Sequence, residues 1–278
     1  MIKGKYNMDK IAYIGCSQRM LENLIKSNEL CLTKVVYIEK RIDEAFKDIL
    51  IEHNIEYIVV NEKKDIDLLD QFLDDVEYAL MYKFDFILPQ KLIDKKRIFN
   101  FHGGSLRTNR GAHAVVWSIL NMEETAVLSL YELTGAIDAG YLIAEYCVEV
   151  DFKETVSKLN QKLQEGIPEL LICLREYLLG KRKAILIENG VYRPKVSRED
   201  YTIDVNTMSL KQMDAILRSQ ADYFGAIVKM LNEEYRVLNW TWNKVSECGG
   251  GGVKRRCYQR NDSIYIEENG ERLVLVYK

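Results

Sequence analysis

"RIFNFHGGSLRTNRG", residues 97–111, runs from an apolar stretch through an asparagine and a histidine into two glycines and a basic loop. In a β-strand, residues two apart lie on the same side. Asn100 and His102 therefore bring a carboxamide and an imidazole to one face, while Phe101 packs the other way. Gly103 and Gly104 let the chain turn at once and let a ligand come close to the backbone. The segments upstream place this strand in a series. "DKIAYIGC" (9–16), "TKVVYIEK" (33–40), "IEYIVV" (55–60) and "YALMYK" (78–83) are short apolar or β-branched runs. Helical spacing lies between them, at Met20, Leu21, Leu24 and Ile25, then around Ala45–Ile51 and Ile66–Phe72.

Strands alternating with helices predict an α/β fold: a Rossmann-like, mostly parallel sheet with helices on both faces. Ligands of such sheets bind at the carboxyl ends of the strands, where Asn100 and His102 lie. Near the first strand there is a single glycine, Gly15, where a dinucleotide-binding fold would carry G-x-G-x-x-G, so nicotinamide and flavin chemistry lose their main support.

Downstream, "HAVVWSILN" (113–121) has the spacing of a short helix, and "TAVLSLYEL" (125–133) and "YLIAEYCVEV" (141–150) read as strands. The turn "TGAIDAG" (134–140) carries Asp138 between them. Residues 151–180 predict one long helix, bent near Gly166 and Pro168 and closed by Gly180. The expected organisation is a catalytic domain over 1–180, a basic linker over 181–200 and a small β-rich, barrel-like domain over 201–278. That last part has a hairpin turn at Asn269-Gly270 and a flexible loop at Gly249–Gly252.

At 278 residues the chain can bury a sizeable core without staples. Cys16, Cys31, Cys147, Cys173, Cys248 and Cys257 stand singly, with no metal-ligand spacing, and read as reduced thiols. The N-terminus has no apolar signal segment, and no stretch reaches the length of a membrane span, so the expected location is the cytoplasm, away from membranes. A net charge of -3, with both signs mixed along the chain, promises no broad basic face for nucleic acid.

Adding Asp138 to Asn100 and His102 gives a set suited to acyl transfer onto an amine. An amide N–H can donate to an oxyanion, a neutral imidazole can take the proton an ammonium must lose, and a carboxylate can orient that imidazole. None of the three is a convincing nucleophile, so transfer would be direct, with no covalent enzyme intermediate.

The stretch from Phe99 to Ile143 resembles the core of the formyltransferases that use N10-formyltetrahydrofolate. The matching residues are Asn100 and His102, Arg110-Gly111, Trp117 and Asn121, and Ile137-Asp138-Ala139-Gly140. "YALMYKFDFILPQKLI" (78–93) resembles that family's strand and I-L-P turn, and the stretch from Tyr223 to Trp240 the start of its small C-terminal β-domain. The resemblance implies that Asn100, His102 and Asp138 are catalytic. It implies that Phe86, Ile87 and Leu88, with Thr134, Gly135, Ile137 and Asp138, line the folate pocket, and that no metal is used. It also implies substrate contacts at Gly103, Gly104, Ser105, Arg107, Arg110 and His113. Two of these carry a second reading: Arg110 could tie its loop to the body, and His113 could cap a helix. The chain departs from the family where Arg107 replaces a loop proline, adding a candidate phosphate contact, and where Thr134 and Gly135 replace acidic residues.

Methionyl-tRNA formyltransferases of this family carry a basic insertion after the second strand, whereas "VVYIEKRIDEAFKDILIEHN" (35–54) passes straight into a mixed-charge helix. The favoured acceptor is therefore the amine of a nucleotide-linked amino sugar, for surface-polysaccharide synthesis, with methionyl-tRNA formyl transfer as the alternative. A non-catalytic folate- or nucleotide-binding module is the reading of another class. A related hydrolase normally has a regulatory domain in front, for which about ten residues before the first strand leave no room. Exposed aromatics on the β-rich domain would serve a homodimer interface.

Overall fold

The computed structural model describes residues 9–28, 30–230, 233–244 and 255–277, and the glycine tract 249–252 and Cys248 lie outside them. In chain order the first elements are β1 (Asp9–Gly15), α1 (Gln18–Lys26), β2 (Leu30–Tyr37), α2 (Glu44–Glu52), β3 (Glu56–Val59) and α3 (Leu69–Phe72). Next come β4 (Tyr78–Tyr82), α4 (Gln90–Lys95), β5 (Arg97–His102), α5 (Ala114–Leu120), β6 (Thr125–Leu133) and β7 (Gly140–Glu149). The chain continues with α6 (Val156–Gln164), α7 (Ile167–Leu178), β8 (Ile185–Ile187), β9 (Thr202–Asp204) and α8 (Leu210–Gln220). It closes with β10 (Ala226–Met230), β11 (Glu233–Lys244), β12 (Arg256–Arg260), β13 (Ser263–Glu268) and β14 (Glu271–Tyr277). They group into two units, one drawn from residues up to 110, 127–147 and 162–192, the other from 111–126, 148–161 and 193 onward.

The first unit is built on an eight-stranded sheet in the order β3-β2-β1-β4-β5-β6-β7-β8. Strands β1 to β5 pair in parallel, as the strand–helix alternation requires. The sheet turns mixed at β6, which runs antiparallel to β5, and β8 runs antiparallel to β7. Ala12, Ile14, Val36, Ala79 and Ile98 from the sheet pack with Leu69, Leu73 and Leu92 in one buried cluster. Each fully buried Leu, Ile or Val side chain of that cluster contributes roughly 1.5–3 kcal/mol.

Two local features fix the carboxyl end of β1. Ser17 caps α1, its Oγ accepting from the Met20 N–H at 3.3 Å. Tyr13 is fully buried, and its hydroxyl takes the Ser17 N–H at 2.8 Å. A Cβ on Gly15 would lie 1.9 Å from the Tyr82 carbonyl and 2.7 Å from the Tyr13 hydroxyl, so β1 and β4 meet there through a residue that only glycine can supply.

The helix expected as one bent rod over 151–180 is two helices, α6 and α7, broken at Glu165-Gly166. A Cβ on Gly166 would sit 2.1 Å from the Tyr146 ring, and Pro168 stands in the first turn of α7, where its missing N–H costs nothing. Within the basic stretch 181–200, β8 joins the first sheet as its end strand.

The second unit is built on a six-stranded sheet in the order β12-β13-β14-β11-β10-β9, with α5 and α8 packed together beside it. Ile203, Val228, Val237, Ile264, Leu273 and Leu275 form its buried core with Met213 and Leu217 of α8. Ser209 and Gln212 close the start of α8 as a capping box. Asn269 and Gly270, both at positive φ, make the tight turn between β13 and β14. Inside this unit Asp214 and Arg218 are each 6% exposed and pair at 2.7 Å, and Trp240 donates its indole N–H to Asp214 at 2.9 Å.

Candidate active site

The antiparallel register of β5 on β6 sets Asn100 opposite Tyr131 and His102 opposite Ser129. Paired residues of an antiparallel ladder project to the same face, so all four side chains share one side of the sheet. The Asn100 amide donates to the Tyr131 hydroxyl at 2.8 Å, and that hydroxyl donates to Asp138 Oδ1 at 2.8 Å. Asp138 Oδ1 also lies 3.6 Å from His102 Nδ1, and the two side chains are 15% and 10% exposed. Asp138 reaches this point from a turn with φ 44, closed by a Thr134 hydroxyl hydrogen bond to the Ala139 carbonyl at 3.2 Å.

On its other side the imidazole is anchored to the backbone. His102 Nε2 lies 2.8 Å from the Asn109 carbonyl oxygen. A carbonyl only accepts, so Nε2 carries the hydrogen and the lone pair of the neutral ring is at Nδ1, facing Asp138.

The loop from Gly103 to Arg110 is tied down at several points. The Glu145 carboxylate on β7 accepts from the Ser105 hydroxyl at 3.1 Å and from Arg107 Nη1 at 3.2 Å, and Ser129 Oγ lies 3.1 Å from it. Ser129 Oγ donates to the carbonyl of buried Gly104 at 2.8 Å. Arg110, 8% exposed, donates to the Leu106 and Ile187 carbonyls at 2.6 and 2.8 Å.

The two segments expected around a folate ring meet each other. A Cβ on Gly135 would lie 1.9 Å from the Gln90 side-chain oxygen, so the turn carrying Asp138 abuts the start of α4 just after Phe86, Ile87 and Leu88. Ile87 and Ile137 are 73% and 49% exposed, apolar side chains that the protein leaves uncovered. Leu88 is 5% exposed and belongs to the core cluster, with Phe86 packed partly against it. His113 falls in the second unit, at the start of α5 with φ 65. Its Nδ1 accepts the Val196 N–H at 3.2 Å, and burial together with the Lys195 charge lowers its pKa. Tyr131, Ser129 and Glu145 escaped the sequence reading. Polar residues at alternate positions of an otherwise apolar strand, Ser129 and Tyr131 in "AVLSLYEL", were the available signal. Among the described residues no group of three or more His, Cys, Asp or Glu could hold a metal ion.

A largely parallel sheet that sets a carboxamide and a carboxylate on one phenol, with an imidazole 3.6 Å from that carboxylate, is an arrangement suited to direct group transfer. Residues 52–173 match the family described as formyl transferase. Among curated relatives, the bifunctional polymyxin resistance protein ArnA of Wigglesworthia glossinidia brevipalpis is 27% identical over 209 residues, covering 71% of this chain and 29% of that protein. A methionyl-tRNA formyltransferase of Novosphingobium aromaticivorans is 27% identical over 167 residues, covering 59% of this chain and 55% of that protein. The chain thus spans less than two thirds of the length of these two relatives. Among solved structures, HypX from Aquifex aeolicus matches with a TM-score of 0.66 at 18% identity, over 96% of this chain and 45% of that one. An N-formyltransferase from Helicobacter canadensis, solved with folinic acid and dTDP-3-aminofucose, matches with a TM-score of 0.69 at 14% identity, over 98% of this chain and 100% of that one.

Proposed function

We propose that this chain is an N-formyltransferase that moves a formyl group from N10-formyltetrahydrofolate to the amine of a nucleotide-linked amino sugar. The observation that carries the reading is the His102 imidazole, anchored through Nε2 so that Nδ1 is left 3.6 Å from Asp138, with the Asn100 amide on the same face. The formyl donor supplies an electrophilic carbonyl carbon. Phe86, Ile87, Thr134, Gly135, Ile137 and Asp138 would hold it; the uncovered Ile87 and Ile137 beside the polar turn fit a ring with one apolar and one hydrogen-bonding edge. Leu88, being core, supports the pocket from behind.

His102 Nδ1 takes the proton that the acceptor's ammonium loses, and Asp138 Oδ1 then faces the new imidazolium hydrogen. The freed amine bonds the formyl carbon, and the bond from that carbon to N10 breaks. The imidazolium returns its proton to N10 as tetrahydrofolate leaves, and the second amine proton passes to solvent. One Asn100 N–H is engaged by Tyr131, and the second serves the oxygen on which negative charge builds. A positioned general base contributes roughly 10²–10⁴-fold, and one oxyanion donor about 10²–10³-fold. Ser105 and Arg107, held at Glu145, would meet the acceptor from the loop side, with Gly103 and Gly104 giving room.

Two features favour the sugar acceptor. After β2 the chain makes one 3-10 turn, Glu39–Arg41, and enters α2 at Glu44, so no basic insertion stands there. The fold match with sugar N-formyltransferases also runs the length of both chains, over 97% of this chain and 98% of WlaRD at a TM-score of 0.67. The product would enter surface-polysaccharide assembly. Transfer to methionyl-tRNA is the second reading, favoured by the names of several curated relatives. The test supplies isotopically labelled formyl donor with dTDP- and UDP-linked amino sugars on one side and charged initiator tRNA on the other. Formylation of a nucleotide amino sugar, abolished in His102→Ala, is the expected result; faster formylation of the tRNA overturns the sugar reading, and no transfer to either overturns the activity.

A further inference from the structure

We infer that Tyr131 is the positioning residue of this site: its phenol decides which end of the Asn100 amide faces the reacting oxygen and holds the Asp138 carboxylate beside His102. The inference rests on the proposed formyl transfer for its kinetic consequence but on geometry for the positioning itself. Tyr131 is 1% exposed and is bonded to both Asn100 and Asp138 at 2.8 Å.

The direction of those two bonds follows from what each group can do. An ionised carboxylate only accepts, so the single phenolic hydrogen goes to Asp138. The phenol oxygen is then an acceptor, and Asn100 must present its NH2 to it rather than its carbonyl oxygen. An amide left to itself can rotate by half a turn and exchange oxygen for nitrogen at almost no steric cost. Here the turned amide would set its oxygen against the phenol oxygen, two acceptors in a buried place, which is costly. Tyr131 thus converts an ambiguous carboxamide into an oriented donor whose second N–H keeps one direction. Burial first, and then the Asp138 charge, raise the Tyr131 pKa well above its ordinary value, so the hydroxyl keeps its hydrogen throughout the working pH range.

The same hydroxyl constrains the carboxylate. Asp138 sits on a turn with φ 44, and its Oδ1 receives the phenol while standing 3.6 Å from His102 Nδ1. One oxygen therefore serves both partners, and the rotamer of Asp138 is tied to the β5–β6 ladder.

The test is Tyr131→Phe, which removes one oxygen atom and keeps the ring. Its first readout is spectroscopic and independent of any acceptor: the side-chain amide resonances of Asn100, identified by their loss in Asn100→Ala. In Tyr131→Phe they should shift and exchange faster with solvent. Asp138→Ala, made separately, should also move them, because the phenol then loses the acceptor that takes its hydrogen. The second readout is kinetic. With the proposed activity, Tyr131→Phe should lower kcat about 10–100-fold with KM for the formyl donor nearly unchanged, the size expected when an oxyanion donor is misaligned rather than deleted. Combined with Asn100→Ala it should add little further loss, because the two act as one unit. Unmoved amide resonances in both variants, or kinetic losses that multiply in the double variant, overturn the positioning role. Shifted resonances in a protein that formylates no acceptor leave that role standing and reject the proposed function instead.

Discussion

Asn109 holds His102 through its main-chain oxygen, 2.8 Å from Nε2, so the tautomer of the candidate base is set by backbone that no side-chain replacement removes. The two ring nitrogens consequently do separable jobs, one anchoring the 103–110 loop and one facing Asp138. His102→Gln can keep a donor near the Nε2 position, while His102→Asn reaches only to the Nδ1 position and leaves the Asn109 carbonyl without its partner. The expected outcome is that both lose at least about 10²-fold in turnover for want of a base. Only His102→Asn should also lower the unfolding midpoint and speed amide exchange in residues 103–110. Thermal melts and hydrogen exchange on the two variants check this.

Glu145 gathers two hydroxyls and a guanidinium. Replacing it with alanine leaves the part-buried Ser105 hydroxyl without that acceptor and frees Arg107, and should cost about 1–3 kcal/mol. Because these groups sit on the acceptor side of the proposed site, KM for the acceptor should rise several-fold with a smaller change in kcat. Denaturant titration and steady-state kinetics read the two effects.

In the second unit, Asp214 neutralises Arg218 in a place 6% exposed to solvent and also takes the Trp240 indole hydrogen. Asp214→Ala strands a buried guanidinium and should destabilise by about 3–5 kcal/mol. The double change Asp214→Leu with Arg218→Met removes both charges and should recover most of that loss, as urea unfolding of the three proteins would reveal.

His113 gives a pH dependence of fixed sign. Burial and the Lys195 charge lower its pKa in the folded chain, and its Nδ1 must be unprotonated to accept from Val196. The unfolded chain therefore binds a proton, near pH 6.5, that the folded chain resists. The stabilisation is complete above that pH and is lost as pH falls through it. The ring keeps contact with solvent, so the effect is modest. His113→Asn keeps an acceptor and tolerates φ 65. Urea midpoints at pH 7.5 and 5.5 should differ in the parent and converge in the variant.

The parallel part of the sheet was legible because β1 to β5 are apolar runs separated by helical spacing, a signal local to each segment. Asn100 and His102 were legible as a pair for the same reason, since the period of two is a property of one strand. Tyr131 was not. Its importance comes from a cross-strand register with a residue 31 positions away, which no local pattern encodes. Arg110 was ambiguous because the carbonyl it serves, at Ile187, is 77 residues distant. The break between α6 and α7 was seen only as a bend, because the helical run Leu159, Leu163, Ile167, Leu170 continues across it; the need for glycine arises from Tyr146, on β7.

The β5–β6 ladder has a consequence for how such a protein can change. Asn100, His102 and Tyr131 owe their mutual spacing to main-chain pairing between neighbouring strands. Insertions or replacements in the connecting loops can therefore change the rim of the proposed site while these three side chains stay in step. A slip of one position along that ladder would turn every member of one strand to the opposite face at a stroke. Selection can explore new partners gradually at the rim, but it has no gradual path through the ladder itself.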